Sequence, residues 1–421
     1  VVEVPGATTS IDATGQRRTA AVTAIIGLAA FVLIAAWLVP WHPVPGGAPD
    51  PVAPDSVFAP EQVARAEDYA RWARVWGWSS LAVSLAVACW LGFGSWGRRL
   101  TDRTSGPPWW VRVVVVVAAL LLAGRVVTLP FAIALRRLQL DAGLSTASWS
   151  TWGYDLVKGE LVDIVTTSIG VLVLVGIARR WSRAWPAVAG GVLACLVVAG
   201  SFAYPLLIEP LFNSFTPLED DSLRTQILQL ADEEGVDVDE VLVADASRRT
   251  TTLNAYVSGF GGTRRVVVYD TLLADLPDDQ ALSVVAHELA HARHDDVLLG
   301  TSLGAAGALL GVGLLGLLVG FAERRGRPGM GEVGAVPMVL ALSALALVLS
   351  SPIQNGISRQ IEARADVDAL EATKAPQPFV ALQRRLAIKS LADPTPPAWS
   401  HWWFGSHPTV LERIAIARQQ D

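Results

Sequence analysis

Cysteine is almost missing from this chain: two residues in 421, Cys89 and Cys195. Both fall inside apolar blocks, which excludes a disulfide framework and a zinc ribbon. Charge is thin as well. Asp, Glu, Lys and Arg make up 17% of the residues, against about a quarter in an ordinary soluble domain. The formal net charge is −6, and nothing in it points to a nucleic-acid partner. Histidine is scarce, at six residues, so any close grouping of histidines stands out. No serine elbow and no cysteine outside the apolar blocks offers a covalent nucleophile. There is no internal repeat.

What fills the chain is apolar: 52% hydrophobic residues and a mean hydropathy of +0.41. The excess is gathered into about seven blocks near the roughly 20 residues that cross a bilayer. They are 20–39, 72–93, 109–135, 161–178, 184–210, 297–322 and 333–351. Trp37, Trp41, Trp109, Trp110, Trp181 and Trp185 flank them, in the aromatic-belt position. The first block follows Arg17 and Arg18, is too long for the apolar core of a signal peptide and lacks a clear cleavage site. It reads as an anchor that stays. The third block carries Arg112 and Arg125. An arginine at membrane depth faces a bundle interior or a wet cavity. Arg125 therefore reads as half of an internal ion pair or as the lining of a water-filled chamber.

Between the blocks lie a Pro-rich first loop, expected to be irregular until a helix starts at Glu61, and two large hydrophilic regions. In the first region, Leu223, Ile227 and Leu230 share a helical face that Gly235 ends, and Glu240 to Asp245 reads as a strand. "NAYVSGFGGTRRVVVYD" reads as a hairpin turning at Gly261 and Gly262. "LPDDQALSVVAHELAHARHDD" reads as a helix opened by Pro277 and capped by Asp278 or Asp279. The organisation expected is a membrane bundle over 1–211, a catalytic insertion over 212–296, two further spans over 297–352 and a helical C-terminal segment over 353–421.

The insertion contains H-E-x-x-H. On a helix, His287 and His291 share a face, so both imidazoles can meet one ion. Glu288 is offset by roughly 100° and can reach a metal-activated water without becoming a ligand. As general base it takes a proton there and then delivers it to the leaving amine. The longer motif with a third histidine fails, because His294 and Val297 occupy its glycine and histidine places. "SRQIEARADVDAL" offers a carboxylate instead. Glu362 can ligate while Asp366, one turn on, hydrogen-bonds a ligating histidine from behind. A plain amphipathic helix with a charged face has the same spacing.

Five separated pieces then run in an order that resembles one family. They are "IEPLFNSFTPLED", "NAYVSGFGGTRRVVVYDTLL", "HELAH", "SRQIEARAD" and "SHPTVLERI". The family is that of integral-membrane zinc metallopeptidases, including type 1 CAAX prenyl proteases and HtpX-type proteases. The resemblance is specific from Ile208 to Arg413; before that it rests on the number and length of spans. It implies Zn2+ held by His287, His291 and Glu362, with Glu288 as general base. Asn254 and His407 would contact the scissile peptide or its oxyanion, and Arg359 and Asp366 would stand around the ligands. The fold implied is an α-helical multi-span membrane protein of about seven transmembrane helices, with a small zincin-like α/β catalytic insertion and a helical C-terminal segment. The partners implied are a peptide or protein substrate, lipidated or membrane-bound ones included, and the lipid bilayer. Two departures stand out: Asp296 occupies a place where the family often has histidine, and residues 138–161 match only loosely.

Arginine clusters at 17–18, 98–103, 179–183 and 324–327 fall on one side of seven spans. Basic short loops favour the cytoplasm. They put the insertion outside the plasma membrane, whereas the family resemblance implies the cytosolic side. A transporter or a non-catalytic scaffold with a structural zinc is the competing reading. Prenylated C-terminal peptides, misfolded membrane proteins and secreted lipopeptide precursors all remain open as substrates.

Overall fold

The structure, a computed structural model, describes residues 5–219, 221–259 and 264–420, with side chains from residue 14 onward. The first half contains α1 (Pro5–Leu38), α2 (Pro60–Phe93), α3 (Ser95–Arg103), α4 (Trp109–Asp141), α5 (Trp149–Arg180), α6 (Trp185–Leu207) and α7 (Glu209–Phe212). The insertion follows with β1 (Phe215–Pro217), α8 (Ser222–Glu233), β2 (Glu240–Ala244), β3 (Ala255–Ser258), β4 (Arg265–Tyr269), α9 (Asp270–Asp275) and α10 (Asp278–Arg293). Then come α11 (Asp296–Glu323), α12 (Val336–Thr373), α13 (Pro376–Ser390), α14 (Ala398–Phe404) and α15 (Val410–Gln419). Among the described residues, seven helical stretches are long and apolar enough to span, with mean hydropathies from 1.4 to 2.5.

The bundle core is built from small and β-branched residues. Val113, Val116 and Val117 of α4 meet Val171 and Val175 of α5, Trp185 of α6, Val319 of α11 and Val339 of α12. Lipid gives helices no hydrophobic reason to associate, so close packing must do it. Glycine provides it where α1 crosses α11. A Cβ on Gly27 would stand 2.3 Å from the backbone nitrogen of Leu310, and one on Gly313 2.3 Å from that of Ala24. Arg125 meets a carboxylate across the bundle: its Nε donates to Glu160 Oε2 at 2.6 Å. That is the ion-pair reading of this residue.

The ends of the bundle differ. At one end Arg179 donates to the carbonyl of Gly331 at 3.0 Å, Arg327 to that of Phe93 at 2.6 Å, and Arg183 packs beside Gly15. The arginine-bearing loops thus gather together. At the other end the loop after α4 meets the insertion, with Thr146 donating to the Arg249 carbonyl at 3.1 Å. Arg249 also clasps Asp155 of α5 through two bonds, 2.7 and 3.2 Å long.

The sheet runs β1-β2-β4-β3, with β2 and β4 parallel and the outer pairs antiparallel. β3 and β4 pair from Ala255↔Val268 to Ser258↔Arg265, as a hairpin requires; its expected Gly261–Gly262 turn lies outside the described residues. Ala255, Val266 and Val268 face Val285, Ala286 and Leu289 of α10, and Ile227, Phe379 and Leu382 complete that core. β3 is left as an edge.

Two expectations change. The boundary drawn at 352 falls inside α12, which is continuous over 38 residues despite Pro352. A proline deprives the carbonyl four residues earlier of its donor. That carbonyl belongs to Val348, and Trp403 Nε1 donates to it at 3.1 Å, so the helix passes through. The start of α10 also differs. Pro277 itself occupies the cap position with no side-chain cap, and Asp278 and Asp279 sit in the first turn, where carboxylates suit the helix dipole.

Candidate metal centre and active site

The site is assembled from α10, α12 and the segment before α15. Residues Ala281, Val285, Ala286 and Leu289 press one side of α10 into the core, leaving His287, Glu288 and His291 turned toward α12. α12 meets them with Glu362 and Asp366, one turn apart. The C-terminal helix α15 is fixed by a reciprocal cap: Thr409 Oγ1 accepts from the Glu412 nitrogen at 3.3 Å, and Glu412 accepts from the Thr409 nitrogen at 2.6 Å. This places His407 before the helix and Arg413 in its first turns.

The donor atoms converge. Nε2 of His287 lies 3.2 Å from Nε2 of His291 and 3.2 Å from Oε2 of Glu362. His291 Nε2 is 3.7 Å from Glu362 Oε1. One ligand atom from each of the three lies within 4.8 Å of the others. Tetrahedral zinc with bonds near 2.0–2.1 Å spaces its ligand atoms by roughly 3.3 Å. Oε2 of Glu362 is buried without a well-aligned hydrogen bond, despite its 3.2 Å approach to His287. Two imidazole nitrogens and a carboxylate oxygen converging on one point suit a divalent cation.

Behind these three donors stand carboxylates. His287 Nδ1 lies 3.0 Å from Asp366 Oδ1 and 3.5 Å from Nη2 of Arg413, and Asp366 is wholly buried. Arg413 answers it, with Nε donating to Oδ2 at 2.8 Å and Nη2 to Oδ1. His291 Nδ1 donates to Asp296 Oδ2 at 2.9 Å. With a cation bound, a proton on Nδ1 of each ring, facing its aspartate, would leave the Nε2 lone pair to the ion. Burial alone would lower the His287 pKa, but Asp366 and Glu362 outweigh it and push it up to about 10. A cation between the ligands would take that proton's place. Burial pushes the Glu288 carboxyl above its ordinary range, against the pull of His287 and His291. A base with a raised pKa accepts a proton near neutrality more readily than an ordinary carboxylate.

His407 reaches the same point, with Nε2 3.4 Å from Glu362 Oε1, while 56% of its side chain stays exposed. Its Nδ1 shares a 2.8 Å bond with Ser406. Among the described residues, no hydrogen bond or ion pair joins Arg359 to His287, His291 or Glu362. Its Nη1 donates to the carbonyls of His401 and Gly405, so it holds the segment that carries His407. Asn254 is exposed at the start of β3, where its carbonyl accepts from the Tyr269 nitrogen at 3.0 Å. Among the described residues no hydrogen bond or ion pair joins its side chain to the histidines or Glu362. Sequence reasoning missed Arg413, Asp296 and Arg364 as members of the site. Arg413 lies inside the His-Pro motif, and Asp296 stood out only as a departure.

Comparison with known proteins agrees with this geometry. Residues 217–421 match Peptidase family M48, and residues 48–214 match CAAX prenyl protease N-terminal, five membrane helices. The "Uncharacterized metalloprotease YhfN" of Bacillus subtilis (strain 168) is 30% identical over 316 residues, covering 74% of each chain. The "CAAX prenyl protease 1 homolog" of Oryza sativa subsp. japonica is 26% identical over 326 residues, again 74% of each. The crystal structure of S. mikatae Ste24p shares the fold, with TM-score 0.77, 19% identity and coverage of 99% of this chain and 100% of that one. These findings favour the hydrolase over a transporter or scaffold: the chain belongs to peptidase family M48, as a multi-span membrane metallopeptidase.

Proposed function

We propose that this chain is a zinc endopeptidase that cleaves membrane-associated peptides, with His287, His291 and Glu362 as the ligands. The convergence of their donor atoms, 3.2 Å apart in two of the three pairs, carries the reading. When bound there, Zn2+ supplies Lewis acidity toward a carbonyl and lowers the pKa of water. The remaining work falls to the protein. Glu288 takes the proton of the attacking water and passes it to the leaving amine. His407 offers Nε2–H where the carbonyl oxygen gains charge, and Asn254 supplies a second polar group on the peptide. Asp366 keeps His287 in the tautomer that presents Nε2. The free edge of β3 accepts an extended substrate by main-chain hydrogen bonds.

The named relatives make peptides ending in a prenylated CAAX motif the first substrate to try. Tail-exposed membrane proteins and lipopeptide precursors are the next. The gathering of the arginine loops opposite the insertion supports a plasma-membrane protein with its site outside. The test is cleavage of a peptide library by the purified full-length protein loaded with zinc. Wild type should cleave. Glu288→Gln should hold one zinc yet not cleave, and His287→Ala should lose the metal. Equal cleavage by wild type and Glu288→Gln would remove the assignment.

A further inference from the structure

His291 is held differently from His287. Its Nδ1 donates to Asp296, which lies beyond a reversal at Asp295, whose φ of 50° is left-handed. Asp296 is the first residue of α11, a membrane-spanning helix. Its side chain is only 8% exposed. The second oxygen, Oδ1, accepts from Nη2 of Arg364. Arg364 sits two residues beyond Glu362 on α12. Among the described residues, that pair is the one hydrogen bond or ion pair its side chain makes, and its Nε is buried without a partner. So the helix bearing the carboxylate ligand reaches across to fix the aspartate behind the second histidine.

The arrangement repeats the one behind His287. There Arg413 holds Asp366, whose Oδ1 lies 3.0 Å from His287 Nδ1. Each imidazole is therefore backed by an aspartate, and each aspartate by an arginine from another element. The difference lies in where the aspartate is rooted: Asp366 on the ligand helix, Asp296 at the threshold of a span.

We propose that Asp296 is a positioning residue for His291, and that Arg364 holds it in that role. The inference rests on the reading of His287, His291 and Glu362 as zinc ligands. Asp296 fixes the His291 ring in the tautomer and orientation that present Nε2 to the ion, and Arg364 keeps the carboxylate from swinging toward water. A plain structural alternative exists. An aspartate in the first turn of a helix also stabilises that helix through its dipole. This alternative predicts effects on folding alone, with no effect on metal.

The test is a zinc titration of the full-length protein in detergent micelles against a competing fluorescent chelator. Thermal unfolding of the metal-free protein is measured alongside. Loss of a carboxylate behind a ligating histidine weakens metal binding by about 10–100-fold. Asp296→Asn should show that loss in protein that still folds, beside a lower metal-free unfolding temperature because Arg364 is left without its carboxylate. A fall in unfolding temperature with zinc affinity intact is the structural alternative. Asp296→Glu keeps the charge and should recover most of the affinity. Arg364→Gln leaves the carboxylate but frees it, and should weaken zinc in the same direction by a smaller factor. Should Asp296→Asn fail to fold, Arg364→Gln carries the test alone. Wild type with no bound zinc would overturn the ligand reading itself. Wild type with one zinc, and Asp296→Asn and Arg364→Gln binding it equally well, would overturn the role of Asp296 while leaving the ligands standing. Cobalt in place of zinc gives a second readout: its visible absorption should change shape in Asp296→Asn if the His291 ring turns.

Discussion

Replacing Arg413 by methionine tests how the site is insulated. Asp366 has no exposed surface, and the guanidinium of Arg413 contacts both of its oxygens. Methionine fills much of the same space without charge. The carboxylate then keeps only His287 Nδ1, at 3.0 Å. Removing one member of a buried ion pair costs about 3–5 kcal/mol, because the other charge is left uncompensated. At ~1.4 kcal/mol per factor of ten, that is a hundredfold or more in the unfolding equilibrium. Asp366→Asn in the same background removes the stranded charge and still accepts from Nδ1. The double variant Asp366→Asn/Arg413→Met should therefore be more stable than Arg413→Met alone. A coupling of about 1–3 kcal/mol is expected, as for residues in one network. Equilibrium unfolding of the full-length metal-free protein in mixed micelles, run on all four members of the cycle, measures it. Arg413→Met within ~0.5 kcal/mol of wild type would refute the reasoning, since surface changes alone stay in that range. Additive losses in the double variant would refute it too.

Stripping the metal with a chelator should lower the unfolding temperature, and zinc at about a thousand times its dissociation constant should restore roughly 4 kcal/mol; His287→Ala should show no zinc response. Gly313→Leu should push α1 away from α11 at a cost of about 1–3 kcal/mol. A Cβ at Gly311 meets nothing within 4 Å, so Gly311→Leu is its control in the same unfolding assay. Trp403→Phe should leave the Val348 carbonyl unpaired and cost about 1–3 kcal/mol, read as faster hydrogen exchange around Pro352.

The spans, the helix of H-E-x-x-H and the shared faces of its two histidines and of Glu362 and Asp366 were legible because each depends on local period. Hydrophobic blocks show membrane helices, and i, i+4 spacing puts two histidines or a Glu-Asp pair on one face. Glu362 needed one inference more, that a distant helix would dock on α10, and the shared core of Val367, Ala369 and Leu370 with Val285 and Leu289 does that docking. What escaped notice depends on contacts between segments. Pro352 looked like an end because the donor that rescues the Val348 carbonyl is an indole 55 residues beyond that valine. Asp296 stood out only for replacing the family's histidine; its contact with His291 depends on the left-handed Asp295, which no local period shows. Strand β1 has three residues, one a proline, and shows no alternation to read. Arg359 was expected around the metal, and its geometry instead fixes the loop of His407.

The unbroken course of α12 has a mechanical side. From Val336 to Glu362 it is a strut of roughly 39 Å, at 1.5 Å per residue. Pivoted at its far end, a tilt of about 5° sweeps its tip through roughly 3 Å, the spacing between neighbouring donor atoms at the centre. Hydrophobic mismatch with the bilayer is one force that tilts long helices. A tilt of that size would carry Glu362 away from the histidines, and the indole clasp at Val348 is the brace that opposes it.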